Sequence, residues 1–258
     1  MSFEIYGAIM SALLGLVTGS FLAAASYRLP RNIPVSTGRS MCTACGKTLK
    51  WYDLVPFFSF LFLGGRCRYC KARISFRYPL IELANGLAFA LVFLAFGYSL
   101  HTVAAMVLAG SLVFLSTVDL EHMIIPDEAV LAILMAGILL AVFSPEIPLL
   151  SRIIGFFAVS LPMFLIAWLK PDGLGGGDIK LMAAAGFFLG WQSILLALVI
   201  GSVAGAIYGV WVLARRKMTR KDPIPFGPFL AGGIFIAMLY GAWLVEGYLR
   251  LVLQASVV

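Results

Sequence analysis

The chain has 258 residues, of which 62% are hydrophobic and only 12% are charged, whereas a soluble domain is about half apolar. Apolar stretches of about 18 to 20 residues recur along the chain, and this is the length that crosses a bilayer as a helix. The composition therefore excludes a soluble globular protein and indicates a polytopic, all-α membrane protein. The net charge of +7 does not indicate nucleic-acid binding, because basic and aromatic residues are not interleaved as they are in such proteins.

About eight apolar segments are predicted to span the membrane as helices. The first lacks the basic flank of a signal peptide and is too long for its apolar core, so it is predicted to be retained. The sixth is shorter than the others. The eight segments cover 5–27, 79–97, 101–118, 128–143, 149–169, 179–190, 192–213 and 228–252.

The basic residues predict the orientation of these helices. With eight spans, all but two of the 19 Lys and Arg residues fall on the side of the long segment 28–78, the exceptions being Arg152 and Arg250. Because cytosolic loops carry the excess of Lys and Arg, this segment is predicted to be cytosolic and both chain ends to face outward. The chain is thus divided into a first helix at 1–27, a cytosolic domain at 28–78 and a helical membrane domain at 79–258.

All four cysteines lie in the cytosolic segment, in the pairs CTAC and CRYC, with 21 residues between the pairs. Two such pairs can close a tetrahedral zinc site, and four thiolates leave no position open for a substrate. Gly46 suits the tight turn after the first pair, because glycine accepts a positive φ. Two disulfides or free thiols are the alternatives, and the reducing cytosol disfavours the disulfides. The pattern predicts a structural zinc-ribbon-like domain with the ligands Cys42, Cys45, Cys67 and Cys70.

The segment WYDLVPFFSFLFLGG, residues 51–65, lies between the two cysteine pairs. It is rich in aromatic residues and carries little charge. We expect it either to lie on the bilayer surface or to pack against the helices. Pro56 makes it too interrupted to be predicted as a further span.

Two carboxylates lie at the ends of predicted spans on the cytosolic side. Asp119 ends the third span, and Asp178 follows the glycines of GLGGGDIK at the start of the sixth. A carboxylate near hydrocarbon is a functional candidate by default. Two carboxylates that meet in a pocket of low dielectric share a proton, which is the arrangement of aspartic proteases. A purely structural Asp119 and a helix-capping Asp178 are the alternatives.

The residues near these carboxylates have simpler interpretations. Asp127 follows Pro126 where the N-cap of the fourth helix is expected, so it is predicted to cap that helix. Glu128 suits the positive end of the same helix. His122 is a lone interfacial histidine and is not predicted to be a base. A phosphate-binding loop at the glycines is disfavoured, because Asp178 stands where the Walker pattern requires a different sequence.

In order along the chain, these motifs resemble the type IV prepilin peptidases, which are membrane aspartic proteases of the GxGD type. The resemblance covers GSFLAAASYRLP in the first span, the cysteine-bearing segment as far as RYP, DLEHMIIPD and GLGGGDIK. It implies that Asp119 and Asp178 are the catalytic pair and that the four cysteines hold a structural Zn²⁺. Gly65 matches a family position linked to methylation. Glu82 matches a family acid whose role the sequence does not reveal.

The resemblance also implies substrates, a cofactor and a location. The family removes the short basic leader of type IV prepilins or type II secretion pseudopilins at the cytosolic face of the bacterial inner membrane. Members with the cysteine domain also N-methylate the new N-terminus with S-adenosylmethionine. Besides these substrates, membrane lipid is the only expected partner. The alternative of another class is a non-catalytic membrane scaffold with a cytosolic zinc ribbon, which would not need Asp119 and Asp178. A transporter is disfavoured, because the centres of the spans are nearly free of acids.

Overall fold

The computed structural model describes residues 2–35, 38–170, 175–215 and 224–255, and the statements below apply to these residues. The secondary structure there is helical, apart from two isolated β-bridges next to the cysteine pairs. The helices are α1 (Ser2–Arg28), α2 (Phe58–Phe62), α3 (Arg77–Phe96), α4 (Leu100–His122), α5 (Asp127–Phe143), α6 (Leu149–Leu169), α7 (Gly176–Leu189), α8 (Trp191–Ala214) and α9 (Gly227–Ala255), with short 3-10 turns at Leu29–Arg31 and Trp51–Asp53.

Within the described part of the chain, six helices are long and apolar enough to cross a membrane: α1, α3, α4, α6, α8 and α9. Helices α5 and α7 have 17 and 14 residues, or about 26 and 21 Å at 1.5 Å per residue. A hydrocarbon core is about 30 Å thick. All eight predicted segments are therefore helices in a multi-pass membrane protein, but the predicted count of eight spans is not confirmed.

The chain forms two compact units, Met1–Thr102 and Val103–Val258. In the first unit, α1 packs against α3 through small residues. A β-carbon on Gly15 would lie 2.7 Å from the carbonyl oxygen of Asn85, and one on Gly19 would lie 2.9 Å from Cα of Glu82. Small residues let helix backbones approach closely, which drives helix association in lipid. The buried small residues of this α1 face recur at every fourth position: Gly7, Ser11, Gly15, Gly19 and Ala23.

In the second unit, the short helix α7 is enclosed by its neighbours. It packs against α6 where Gly155 meets Gly186, and a β-carbon on either glycine would collide with the backbone of the other helix. Against α5 the approach is also close, because a β-carbon on Gly137 would lie 3.3 Å from Cα of Phe188. The residues of α7 from Leu181 to Gly186 are accordingly buried. The helix is thus held by backbone-to-backbone packing.

A buried arginine closes the C-terminal end of α7. Arg152 of α6 is 1% exposed and donates hydrogen bonds to the carbonyl oxygens of Phe187 at 3.2 Å and Phe188 at 3.1 Å. The last four carbonyls of a helix lack partners within the helix, and the guanidinium satisfies two of them. The charge pattern of the sequence placed Arg152 on the outer side but did not reveal this capping contact.

Candidate active site

Asp119 lies in the last turn of α4 and is 6% exposed. Its Oδ2 accepts a hydrogen bond of 2.9 Å from the backbone N–H of Gly227, the first residue of α9. Backbone N–H groups at a helix N-terminus carry partial positive charge, and this one holds the carboxyl group of Asp119 at the start of α9. A β-carbon on Gly227 would lie 2.8 Å from the same oxygen. The approach of the N–H group therefore requires glycine.

Asp178 lies in the first turn of α7, two residues after the start of the helix. The N-cap is Gly175, and no side-chain cap hydrogen bond is present among the described residues, so the alternative that Asp178 is a cap is wrong. Among the described residues, its buried Oδ1 has no hydrogen-bond partner. Gly177 packs against Ile125, since a β-carbon there would lie 2.8 Å from Cβ of Ile125. This packing brings the start of α7 against the segment that follows α4. The first residues of the glycine motif, Gly173 and Leu174, lie outside the described residues.

Asp119 and Asp178 interact electrostatically. Asp178 lies outside the six long apolar helices, and burial raises the pKa of its carboxyl to about 6, with the charge of Asp119 as the second cause. Carboxylates that interact in this way titrate as a pair and can share one proton. The fold thus brings together two carboxylates that are 59 residues apart in the sequence. One ionised and one protonated carboxyl group is an arrangement that can activate water and polarise a carbonyl group.

Asp127 does not cap α5. It is the first residue of the helix, Pro126 is the N-cap, and no side-chain cap hydrogen bond is present, so the predicted capping role is wrong. Instead, both oxygens of its carboxylate accept hydrogen bonds from Nζ of Lys180, at 2.8 and 3.0 Å. The side chain therefore points across to α7 rather than back to its own backbone. Glu128 lies in the first turn of α5, as predicted.

Lys180 is a residue that the sequence analysis did not single out. Its ion pair with Asp127 joins the N-terminal turns of α5 and α7, two residues beyond Asp178. His122, which is not predicted to be a base, lies beside Glu121, with 3.7 Å between its Nε2 and the carboxylate. The proximity of Lys180 to Asp178 in GGGDIK was the only available signal, and it did not reveal the partner on α5.

An apolar groove lies next to these polar residues. It has a volume of about 690 Å³ and runs between α5, α6 and α7, with the Asp127–Lys180 pair in its lining. Most of its wall consists of aliphatic and aromatic side chains, including Leu131, Phe157 and Phe164. Ile179, which directly follows Asp178, also lines it. The groove can therefore hold an apolar chain close to the start of α7.

The four cysteines meet in the first unit. All four lie in the described part of the chain as free thiols, their sulfur atoms lie within 4.8 Å of one another, and Sγ of Cys42 is 3.8 Å from Sγ of Cys70. A tetrahedral zinc site with Zn–S distances of about 2.3 Å would place its sulfurs about 3.8 Å apart. Hydrogen bonds from the backbone N–H groups of Cys45 and Ala44 lower the pKa of the Cys42 thiol to about 7, whereas burial and the neighbouring cysteines raise the pKa of Cys70 to about 11. The thiolate that metals bind is thus favoured at Cys42 and disfavoured at Cys70. The donor set fits a metal ion such as zinc.

The two cysteine pairs have the same local structure. The N–H of Gly46 donates to the carbonyl of Cys42 at 2.9 Å, and the N–H of Lys71 donates to the carbonyl of Cys67 at 3.0 Å. Gly46 and Lys71 both have positive φ values, of 67° and 60°. Each pair therefore forms a tight turn that presents its two sulfurs to the same side. The predicted role of Gly46 in such a turn is confirmed.

Gly65 and Glu82 are both placed in the first unit. Gly65 has a φ of 68° and directly precedes the second cysteine turn, where its carbonyl accepts the N–H of Ile74 at 2.8 Å. Glu82 is buried in α3, and its Oε2 accepts the N–H of Phe57 at 2.7 Å. The aromatic segment 51–65 is therefore hydrogen-bonded to a long apolar helix.

Comparison with known proteins identifies the family. Residues 13–96 match the Bacterial Peptidase A24 N-terminal domain, and residues 106–210 match the Type IV leader peptidase family. A protein of Bacillus subtilis (strain 168) named prepilin leader peptidase/N-methyltransferase is 34% identical over 241 residues, which cover 93% of this chain and 97% of that protein. Proteins of the same name from Aeromonas salmonicida (strain A449) (37% identical; 83% of this chain and 76% of that protein) and Pseudomonas aeruginosa (33%; 94% and 93%) are also similar. No solved structure matches the chain. With relatives this similar over nearly its whole length, the chain belongs to the type IV leader peptidase family.

Proposed function

We propose that this enzyme removes the leader of type IV prepilins or type II secretion pseudopilins and methylates the N-terminus that it exposes. The observation that carries the peptidase activity is the interacting pair Asp119 and Asp178. Both residues lie within 106–210, the range that matches the leader peptidase family. The methyltransferase activity is supported by the names of the relatives, and S-adenosylmethionine is the proposed methyl donor. Family membership favours this enzyme over a non-catalytic scaffold.

In the proposed mechanism, the two aspartates begin in different protonation states. Asp119, whose Oδ2 accepts the N–H of Gly227, serves in its ionised form as the general base. Asp178 has a raised pKa and a buried oxygen with no partner among the described residues, so it serves as the protonated general acid. Positioned acids and bases of this kind each accelerate a reaction by about 10²- to 10⁴-fold.

The hydrolysis then proceeds through a tetrahedral intermediate. Asp119 removes a proton from water as the water oxygen attacks the scissile carbonyl carbon, and Asp178 donates its proton to the carbonyl oxygen. The C–N bond breaks when the proton on Asp119 passes to the leaving nitrogen. Asp178 recovers a proton from one hydroxyl group of the intermediate as the new carboxyl group forms. Both aspartates return to their starting states.

The apolar groove between α5, α6 and α7 is the proposed binding place for the apolar part of the substrate that follows the cleavage site. Its apolar wall suits a hydrophobic helix, and Ile179 in that wall is adjacent to Asp178. A substrate that lies in the groove would present its leader junction at the start of α7. Lipid around the protein would compete only weakly for this place if the substrate fits its shape better.

The metal and the orientation complete the proposal. Zn²⁺ bound by the four cysteines would stabilise the domain 28–78, and it would take no part in hydrolysis because four sulfur ligands fill its coordination sphere. The excess of basic residues in this segment supports a cytosolic location for it and for Asp119 and Asp178. The protein would thus act at the cytosolic face of the bacterial inner membrane.

Co-expression with a candidate prepilin tests the proposed function. We expect mass spectrometry of the new N-terminus to show cleavage and methylation with the wild-type enzyme. Asp119→Asn and Asp178→Asn, which keep the size of the side chain but remove its acid–base function, should each reduce cleavage to the detection limit. Asp127→Asn is the control, since it changes an exposed carboxylate on the same side. Near-normal cleavage by either catalytic variant at matched protein levels would exclude the mechanism.

A further inference from the structure

Glu82 is a buried carboxylate that the proposed hydrolysis does not use. It lies five residues into α3 and is 7% exposed. Its Oε2 accepts the N–H of Phe57 at 2.7 Å. A carboxylate within an apolar helix costs free energy. The hydrogen bond to Phe57 is therefore expected to support a feature of the fold that offsets this cost.

Phe57 has an unusual backbone conformation. Its φ is +58° and its ψ is −50°, a combination in which the β-carbon of a non-glycine residue is crowded. Residues in such conformations persist only when the surrounding structure holds them in place. The hydrogen bond to Glu82 fixes the N–H of this residue directly. Glu82 is thus the side chain that holds the strained turn before α2.

The position of Phe57 determines the position of α2 and of the residues that follow it. Helix α2 starts at Phe58 and ends at Phe62. Gly64 and Gly65 follow it with φ values of 61° and 68°. The N–H of Gly65 donates to the carbonyl of Phe60 at 2.9 Å, and its own carbonyl accepts the N–H of Ile74 at 2.8 Å. Backbone hydrogen bonds therefore connect the Glu82 contact with Gly65 and with the second cysteine turn.

A second contact fixes the other end of the aromatic segment. Asp53 accepts hydrogen bonds from Nε of Arg68 at 2.6 Å and from the hydroxyl of Tyr69 at 3.0 Å. This contact ties the start of the segment to the second cysteine turn. The contact to Glu82 ties the segment to α3 by a hydrogen bond, and the ring of Phe60 packs against that of Phe76, the N-cap of α3, with 5.1 Å between centroids. Removing the Glu82 contact should therefore leave the cysteine turns formed but change the position of Gly65 relative to α3.

We propose that Glu82 is a positioning residue for methyl transfer, because its carboxylate holds Phe57 in the positive-φ conformation and thereby places α2 and Gly65. The proposal rests on the proposed function, because it assigns Glu82 to methyl transfer; the contact between Glu82 and Phe57 does not depend on it. The supporting observation is that the contact lies within residues 13–96, the match to the N-terminal family domain, whereas Asp119 and Asp178 lie in the other match. Glu82 is therefore expected to affect methylation and to leave cleavage largely unchanged.

The first experiment compares two substitutions of Glu82. Glu82→Leu has a similar size but no acceptor, so the buried N–H of Phe57 loses its partner. We expect the methylated fraction of the cleaved prepilin to fall by about tenfold or more, with cleavage within about twofold of wild type. Glu82→Gln retains an oxygen acceptor and should retain most of the methylation. Equal methylation by Glu82→Leu and wild type would overturn the proposal.

The second experiment tests the strain at Phe57 directly. Glycine adopts a positive φ without the β-carbon penalty, so Phe57→Gly should restore much of the methylation that Glu82→Leu loses. Phe57→Ala is the matched control, because it removes the same ring but keeps a β-carbon, and it should restore none. A general structural role for Glu82 would not distinguish these two substitutions. Equal rescue, or no rescue by glycine, would contradict the proposal.

Two further measurements, hydrogen exchange and bound metal, test the Glu82 contact without relying on enzyme activity. Hydrogen exchange of the amides at 57–65 should be faster in Glu82→Leu and close to wild type in Glu82→Gln, while the bound metal is retained in both. If the wild type neither cleaves nor methylates prepilin, the proposed function fails, and the exchange data still test the Glu82 contact. If Glu82→Leu does not accumulate in the membrane, the amount of protein becomes the readout. The same rescue by glycine and not by alanine is then expected.

Discussion

The backbone N–H of Gly227 lies 2.9 Å from Oδ2 of Asp119 and donates a hydrogen bond to it. The absence of a side chain at residue 227 makes this contact possible, since a β-carbon there would lie 2.8 Å from the same oxygen. The contact places the carboxylate at the N-terminal end of α9. It fixes the orientation of one member of the proposed catalytic pair.

Gly227→Ala is therefore expected to slow prepilin cleavage by about 10- to 100-fold, because small displacements of catalytic groups have effects of this size. Cleavage rates of purified enzyme in detergent would measure the effect. Gly232→Ala is the matched control on the same helix, since a β-carbon at residue 232 meets no atom within 4 Å. Equal rates for the two variants would show that the Gly227 contact does not support catalysis.

The rate of cleavage should depend on pH through Asp178. Burial and the charge of Asp119 raise the pKa of this carboxyl to about 6, and the proposed mechanism requires its protonated form. As the pH rises through about 6, Asp178 loses its proton, so kcat/KM should fall and approach a tenfold decrease per pH unit. A pH profile of kcat/KM would check this, over the pH range in which the enzyme stays folded. A kcat/KM that rises steadily between pH 6 and 8 would contradict the assignment of Asp178 as the acid.

Loss of one cysteine ligand should release the proposed zinc. A structural zinc site contributes about 10 to 16 kcal/mol in small peptides, so Cys67→Ser should remove most of the bound metal and unfold the segment around the four cysteines. Metal analysis of the purified protein would measure this, with Thr43→Ala in the first cysteine turn as the control. Methylation should fall more than cleavage, because Asp119 and Asp178 belong to the other unit. Full metal occupancy in a Cys42→Ser, Cys67→Ser double variant would exclude the site.

The ion pair between Asp127 and Lys180 should have a small effect by comparison. Both side chains are largely exposed, at 72% and 57%, and exposed ion pairs contribute about 0 to 1 kcal/mol. Asp127→Ala should therefore lower the thermal stability slightly and reduce cleavage by less than about fivefold. The exchange of both charges, Asp127→Lys with Lys180→Asp, should restore the loss. A loss of cleavage as large as that of Asp178→Asn would instead assign Asp127 to the chemistry.

The proposed orientation can be tested by labelling single cysteines. The start of α7 and the segment after α4 should both be accessible from the cytosol, because the first contains Asp178 and the second directly follows the turn of α4 that contains Asp119. Met123→Cys and Gly176→Cys, in a background without the native cysteines, are expected to react with a membrane-impermeant reagent only from that side. Both positions are exposed in the protein. Labelling from opposite sides would rule out a shared active site.

Much of the helical structure could be predicted from the sequence, because the signal for a membrane helix is local. An apolar run of sufficient length has to satisfy its backbone hydrogen bonds within itself in lipid. The predicted segment 149–169 is helix α6, Leu149–Leu169, and 128–143 differs from α5 by one residue at its start. The spacing of the cysteine pairs is also local, and it correctly predicted that the four sulfurs could form a metal site.

Which side chains meet could be seen only in the folded chain. The capping rule for Asp127 failed because a lysine from another helix offered its carboxylate a charged partner, which the local sequence does not contain. Glu82 acquired a role through Phe57, 25 residues away, and Asp119 acquired its hydrogen bond from Gly227, 108 residues away. The helical segments and the candidate chemistry-bearing residues could be predicted from the sequence, since both predictions use only nearby residues. Hydrogen bonds and ion pairs between distant segments depend on how closely the helices pack, and small residues such as Gly15, Gly155 and Gly186 set that packing only in the folded chain.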